Sequence, residues 1–275
     1  MFYCKERFKG KNILVTGGTS GIGKETCIRA GLEGGFVIVS GRNTERGEKV
    51  VEEIKANGGQ ALFIEADMQK EDDIFNLFKV IEEKCGHLDV VINNAGIMGK
   101  SKRIDQMEQE EWSEVINTNL NAVFLCCREA SRNMIANKVA GAIVNIASAA
   151  GITGVLHASS YVASKHGVNG LTKAIAADLA PFNIRCNSVN PASTQTPILE
   201  NAVETVKMQI GALMAQGKSL EEAKKETIIG GKTETLQKRP ATASEQASTI
   251  LYLASDEASH ITGSIVASDG GYTAY

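Results

Sequence analysis

Seven short apolar runs, most of them rich in valine and isoleucine and ending in Gly, Asn, Asp, Ser or Pro signals, recur along the chain and alternate with stretches of helical period. They are NILVTGG (12–18), FVIVSGRN (36–43), ALFIEADM (61–68), LDVVINNAG (88–96), GAIVNIAS (141–148), IRCNSVNP (184–191) and SIVASDGG (264–271). Near-continuous apolar strands suit a sheet covered on both faces, and the intervening amphipathic stretches supply the covering helices. Examples are GKETCIRAGLEGG and EEWSEVINTNLNAVFLCCREASRNMI. Repeated βαβ units with right-handed crossovers give a doubly wound, Rossmann-type α/β fold with a parallel sheet of about seven strands. A chain of 275 residues, 43% hydrophobic, suits one large domain spanning 1–275.

One region breaks the rhythm. From Pro197 to about Pro240 the sequence offers helical material only, and Ser219 with Glu222 three positions later has the form of a capping pair. An excursion after the carboxyl end of a strand in such a sheet overlies the ligand crevice. The alternative is a surface decoration or a subunit contact.

The charge and cysteine patterns exclude several classes. A net charge of −3 gives no basic excess for nucleic acid. The six cysteines lack CxxC or finger spacing, no HExxH pair occurs, and no metal site is expected. No apolar run approaches a membrane helix, and MFYCKERFKGKN carries charges where a signal peptide needs apolar residues. The expectation is a soluble, cytoplasmic protein with reduced thiols.

The chemistry begins at the first strand's end. There, Thr16–Gly17–Gly18–Thr19–Ser20–Gly21–Ile22–Gly23 leads into a helix. Gly17, Gly21 and Gly23 allow close backbone approach, and Thr19, Ser20 and Ile22 complete a turn whose helix N-terminus can receive a pyrophosphate. The second strand ends in Ser40–Gly41–Arg42, with no acid until Glu45. A carboxylate there would bind an adenosine ribose 2′-hydroxyl, whereas the Arg42 fork can pair with a 2′-phosphate. Farther along, Tyr161 and Lys165 stand one helical turn apart.

Taken together, the glycine turn, Asp67 after the third strand, NNAG at 93–96, Asn119 within INTNL, Ser148 in NIAS, Tyr161 with Lys165, and NP at 190–191 stand in one order. In that order they resemble the short-chain dehydrogenase/reductase family, over nearly the whole chain. The resemblance implies an oxidoreductase that interconverts a secondary alcohol and a ketone. It implies Tyr161 as general acid/base, Lys165 as its electrostatic tuner and ribose ligand, Ser148 as holder of the substrate oxygen, and Asn119 as support for a water beside Lys165. It places Asp67 and Met68 at the adenine, Asn93, Ala95 and Gly96 at the ribose and pyrophosphate bridge, and Pro191, Thr194 and Thr196 at the nicotinamide.

At Ala192 the family's usual glycine is replaced. Gly41 falls where NAD enzymes of the family carry Asp, so NADP(H) is the expected cofactor, with NAD(H) as the alternative. His157 and His166 lie near the tyrosine, without a visible partner, and are not assigned to catalysis. Family members associate as homotetramers or homodimers through the helices carrying Asn119 and Tyr161. The substrate candidates are 3-oxoacyl thioesters, hydroxysteroids, sugars or polyols, and small ketones. The reading from a different class, a silent dinucleotide sensor or scaffold, ordinarily loses the tyrosine, lysine or serine that this chain keeps.

Overall fold

The computed structural model describes residues 4–227 and 235–274. The part of the expected excursion at 228–234 therefore lies outside the described residues. All seven expected strands form, each ending where its turn residues begin: β1 (Asn12–Thr16), β2 (Phe36–Gly41), β3 (Gln60–Glu65), β4 (Val90–Asn93), β5 (Ala142–Ile146), β6 (Arg185–Pro191) and β7 (Ile265–Ser268). They make one parallel sheet in the order β3-β2-β1-β4-β5-β6-β7. The order reverses direction between β1 and β4, which opens a crevice at the carboxyl ends of these two strands.

Two apolar layers close the sheet. On one face α1 (Gly21–Leu32), α2 (Thr44–Ala56) and α9 (Ala243–Ala254) bury Val15, Val39, Val50, Ile54 and Leu251. On the other, α3 (Glu71–Cys85), α5 (Ala122–Ala136) and α6 (Ser159–Leu179) bury Leu14, Ile38, Leu77, Ile143 and Val168. Successive strand residues point to opposite faces, so Leu14 and Val15 serve different layers. Cys126 and Cys127 are fully packed in the second layer, as small apolar side chains.

The long stretch 110–135 is a continuous helix with a change of pitch. Between α4 (Gln109–Ile116) and α5, residues Asn117–Asn121 take π geometry, and the Ala122 N–H reaches back five residues to the Asn117 carbonyl. Such inserts mark functional positions in many helices. After β6 come α7 (Pro197–Ala215) and α8 (Leu220–Lys225), packed on each other, with Val206 and Ala223 buried. The expected capping pair forms: the Glu222 N–H donates to Ser219 Oγ, and Glu222 Oε2 accepts from the Ser219 N–H at 2.9 Å.

Candidate active site

Strand register determines what meets at the carboxyl edge. Thr16 pairs with Asn93, Asn93 with Asn145, and Asn145 with Ser188, so the loops after β1, β4, β5 and β6 emerge side by side. Beneath them runs a buried polar ladder. Asn93 Nδ2 donates to Asn145 Oδ1 (2.8 Å), and Asn145 Nδ2 donates to Thr172 Oγ1 (3.0 Å). Buried amides keep their place only when so paired. Asn145 was not among the expected site residues. The signal for it was an asparagine inside an otherwise apolar strand, AIVNI.

The glycine turn is built for a close ligand. Gly17 has φ +64, and a Cβ there would lie 2.9 Å from Ala95 Cα; a Cβ on Gly23 would stand 2.3 Å from the Gly17 carbonyl oxygen. Asn94, also outside the expected set, fastens the turn to β4 by donating from Nδ2 to the carbonyls of Thr16 (3.0 Å) and Gly17 (3.1 Å). The Thr16 hydroxyl accepts from the N–H groups of Asn94 and Ala95. Helix α1 begins after Ser20 with no side-chain cap and no acid in its first turn. Its first N–H groups, with their partial positive charge, are therefore left for an anion. Thr19 and Ser20 are half-buried on the turn, and Ile22 packs onto the core below.

At the adenosine end, Arg42 is exposed with its Nη1 4.0 Å from Asp67 Oδ2, and Asp67 Oδ1 accepts from the Gln69 N–H (3.0 Å). A Cβ on Gly41 would fall 2.8 Å from Thr19 Cγ2, so an acid there would have to displace the Thr19 methyl. Met68 presents its main chain, not its side chain, to the crevice. Its side chain turns into the core, 3.9 Å from Cys126 Sγ, because an unbranched thioether gains more from burial than from lining a surface. That leaves its main chain as the part that could flank an adenine.

Ser148 ends the loop after β5 and caps the short turn Ala149–Gly151, its Oγ accepting from the Ala150 N–H (3.1 Å) and lying 3.5 Å from the Pro191 carbonyl. Tyr161 and Lys165 occupy the first two turns of α6. The Lys165 Nζ is 5.7 Å from the centre of the Tyr161 ring and donates to the Ile146 carbonyl at 2.8 Å. Ser148 lies close enough to the phenol to influence its titration.

Burial pushes the Tyr161 phenol above its ordinary value, and the Ser148 hydroxyl pulls the other way. Burial also lowers Lys165 to about 8. Desolvation is thus the largest influence on both groups. Among the described residues no carboxylate pairs with Lys165. A buried ammonium with one hydrogen bond leaves two donors for a ligand.

Asn119 lies in the π segment. Its Oδ1 accepts from the Ile97 N–H (2.8 Å), and its Nδ2 donates to the Ile97 carbonyl (2.8 Å) and to Ser164 Oγ (3.2 Å). It thus joins the loop after β4 to α6 beside Lys165. A Cβ on Gly96 would sit 3.2 Å from Asn119 Oδ1 and 3.4 Å from Lys165 Nζ, which places both groups against the same face of Gly96.

On the far side of the turn, Thr196 caps α7, and its Cγ2 would be 3.2 Å from a Cβ on Gly21. Thr194 is buried, its hydroxyl donating to the Ala192 carbonyl (3.0 Å). Pro191 closes β6. Ala192 is absent from the positive-φ residues, so an alanine sits there without strain. His166 faces outward, its Nδ1 3.0 Å from the Val162 carbonyl. The His157 carbonyl accepts from the Lys102 N–H.

Ser148, Tyr161 and Lys165 thus converge, with Asn119 attached one residue away at Ser164. The glycine cradle, the uncapped helix and the unpaired ammonium line one crevice. This donor set fits a nicotinamide dinucleotide. Apolar side chains stand exposed on the flanking segments, including Ile152 and Leu156 after Ser148 and Ile198, Met208 and Met214 on α7. A separate cavity of about 340 Å³ lies at the opposite, amino edge of the sheet. Its cations are already engaged, Lys11 with Asp89 and Arg185 with the Leu253 and Ser255 carbonyls. It holds none of this chemistry.

Comparison with known proteins agrees with this geometry. A family model described as short chain dehydrogenase matches residues 11–207. A 3beta-hydroxysteroid dehydrogenase of Mediterraneibacter gnavus is 51% identical over 269 residues, 98% of this chain and 97% of the relative. A cyclohexanol dehydrogenase of Acinetobacter sp. strain SE19 is 36% identical over 267 residues, 97% of this chain and 96% of the relative. The crystal structure of a short-chain type dehydrogenase/reductase from Mycobacterium marinum superposes with a TM-score of 0.85 at 30% identity, covering 98% of each chain.

Proposed function

The chain belongs to the short-chain dehydrogenase family and is an oxidoreductase of secondary alcohols and ketones; from that premise we propose that it works with NADP(H), that Tyr161 is its acid/base, and that its substrate is a 3β-hydroxysteroid or a ring alcohol of similar bulk. The observation that supports the chemistry is the buried Lys165 ammonium 5.7 Å from the Tyr161 ring, with the Ser148 hydroxyl acting on the same phenol. When bound, the nicotinamide supplies or takes up the hydride.

The side chains do the rest. Ser148 holds the substrate oxygen beside the phenol. In reduction the Tyr161 hydroxyl gives its proton to that oxygen, and in oxidation the phenolate receives it. The Lys165 ammonium favours the charged form of the tyrosine and offers its remaining donors to the dinucleotide ribose. Asn119 keeps the Ile97 loop against α6 and supports the path by which the proton is replaced.

The cofactor preference rests on Arg42 at the end of β2 with Gly41 before it, a fork for a 2′-phosphate and no carboxylate to repel one. The substrate class is supported by the 51% identical relative and by the apolar side chains at Ile152, Leu156 and Ile198, which suit a rigid hydrocarbon frame. The chain reads as one catalytic unit, with α7 and α8 in the substrate-side excursion. Association into a homodimer or homotetramer is supported by exposed Phe75 and Phe124, which share Arg128 at 5.3 and 5.5 Å on the outer face of α3 and α5. The test is NADPH and NADH consumption with a 3-ketosteroid, cyclohexanone and a 3-oxoacyl thioester. Faster turnover of the thioester than of the steroid rejects the substrate assignment.

A further inference from the structure

The chain after β7 folds back on itself around one carboxylate. Asp269 is buried, and its Oδ1 accepts from the Gly271 N–H (2.9 Å) while its Oδ2 accepts from the Thr273 N–H (2.8 Å) and the Thr273 hydroxyl (2.6 Å). Burial opposes the charge, yet the Thr273 hydroxyl and the Thr273 and Gly271 amides outweigh it and hold the carboxyl below its ordinary value. The turn starts from a fixed base, since the Ser268 carbonyl accepts from Gln246 Nε2 of α9 (2.9 Å).

This turn presses on the limb 235–241. The Gly270 carbonyl accepts from the Gln237 N–H (3.2 Å). Gly271 has φ +83, and a Cβ there would lie 2.7 Å from Leu236 Cδ1, so limb and turn meet with no space for a side chain. The limb in turn is paired to the loop after β6. The Gln195 N–H donates to the Ala241 carbonyl (2.8 Å), and the Ala241 N–H donates to the Ser193 carbonyl (2.9 Å), a parallel bridge between Thr194 and Ala241. That loop carries Thr194 and the α7 cap Thr196. A chain of main-chain contacts thus runs from Asp269 to the residues read above as facing the nicotinamide.

We propose that Asp269 is a positioning residue for the nicotinamide end of the dinucleotide site, acting through residues 235–241 on the loop 193–196. The inference rests on the proposed dinucleotide function and on the nicotinamide placement at Thr194 and Thr196 that the family resemblance implies. Asp269 touches no reacting atom. Its carboxylate sets the height at which the limb, and hence the loop, stands above the crevice. An asparagine would keep the volume but turn an N–H₂ toward donors that need an acceptor.

The test compares NADPH with 2′-phospho-ADP-ribose, which lacks the nicotinamide, in direct binding titrations of the native protein and of Asp269→Asn, Thr273→Val and Thr273→Ser. Asp269→Asn and Thr273→Val are expected to weaken NADPH about tenfold, as for one charge-assisted hydrogen bond, and to leave the fragment within about twofold. Thr273→Ser, which keeps the hydroxyl, restores native NADPH affinity. Equal loss for both probes, or no loss for NADPH, overturns the proposal. If Asp269→Asn does not fold, Thr273→Val against Thr273→Ser decides alone. Thr194→Val separates the two readings. If it weakens NADPH while Asp269→Asn does not, the anchor falls by itself. If it leaves NADPH unchanged, the nicotinamide placement falls and the anchor with it.

Discussion

Replacing Lys165 by methionine is expected to stabilise the protein while silencing it. Burial holds the ammonium at about 8 against an ordinary 10.5, and a difference of that size corresponds to roughly 3 kcal/mol of unfavourable burial. Methionine fills similar volume without charge but loses the 2.8 Å hydrogen bond to the Ile146 carbonyl, worth about 1 kcal/mol. The net gain is about 2 kcal/mol at neutral pH, or a rise in Tm of roughly 4 °C for a chain of this size. The sign follows from linkage. Between pH 8 and 10.5 the unfolded chain holds a proton on Lys165 that the native chain has released, so the wild-type penalty is full below 8 and fades toward 10.5. The buried thiols Cys126 and Cys127, pushed up by burial, act in the opposite direction at high pH, but equally in both proteins. The assay is thermal unfolding of both proteins without dinucleotide at pH 7 and pH 10, with turnover measured alongside. A variant less stable than wild type at pH 7, or a gap that does not narrow by pH 10, refutes the reasoning.

Tyr161→Phe should keep Tm and dinucleotide affinity and lose about 10²–10⁴-fold in kcat; near-native kcat would place the proton donor elsewhere. Arg42→Ala is expected to weaken NADPH by about 10- to 100-fold and NADH little. Adding Gly41→Asp, whose Cβ would displace the Thr19 methyl, should shift preference to NADH in competition titrations; unchanged NADPH affinity contradicts the assignment. Glu33 is fully buried between Arg29 (2.8 Å) and Arg7 (3.3 Å). Glu33→Ala should cost about 3–5 kcal/mol in urea unfolding, because it removes the buried carboxylate that both arginines share, while Arg7 keeps Glu257 at 3.4 Å and Arg29 keeps Ser248; a loss below about 1 kcal/mol would mean that these remaining contacts suffice.

Much of this molecule was legible in local pattern. Strand runs with β-branched residues, the glycine turn at the end of β1, and a capping pair at Ser219 and Glu222 depend on neighbours a few positions away, and each formed where it was read. The site residues stood in a family's order, and the structure brings Ser148, Tyr161 and Lys165 into one crevice. What local pattern could not give is the sign of effects that depend on surroundings. Packing around α6 makes desolvation the largest influence on both Tyr161 and Lys165, which no run of neighbouring residues announces. Met68 stood at an adenine position in the motif and turns inward because Cys126, 58 residues away, offers it a core.

Asn94, Asn145 and Asp269 carry no signal in isolation, since a polar residue near a turn is common in any sequence. Their roles arise from partners that only the sheet brings near, the Thr16 carbonyl for Asn94 across 78 positions and Thr172 for Asn145 across 27. The sequence by itself determined the strands, their turns and the order of the motifs, because period and turn chemistry act over a few residues. The tertiary structure alone decided which of those groups are buried, paired or left unpaired, because hydration and Coulomb interaction depend on distance in space and not on distance along the chain.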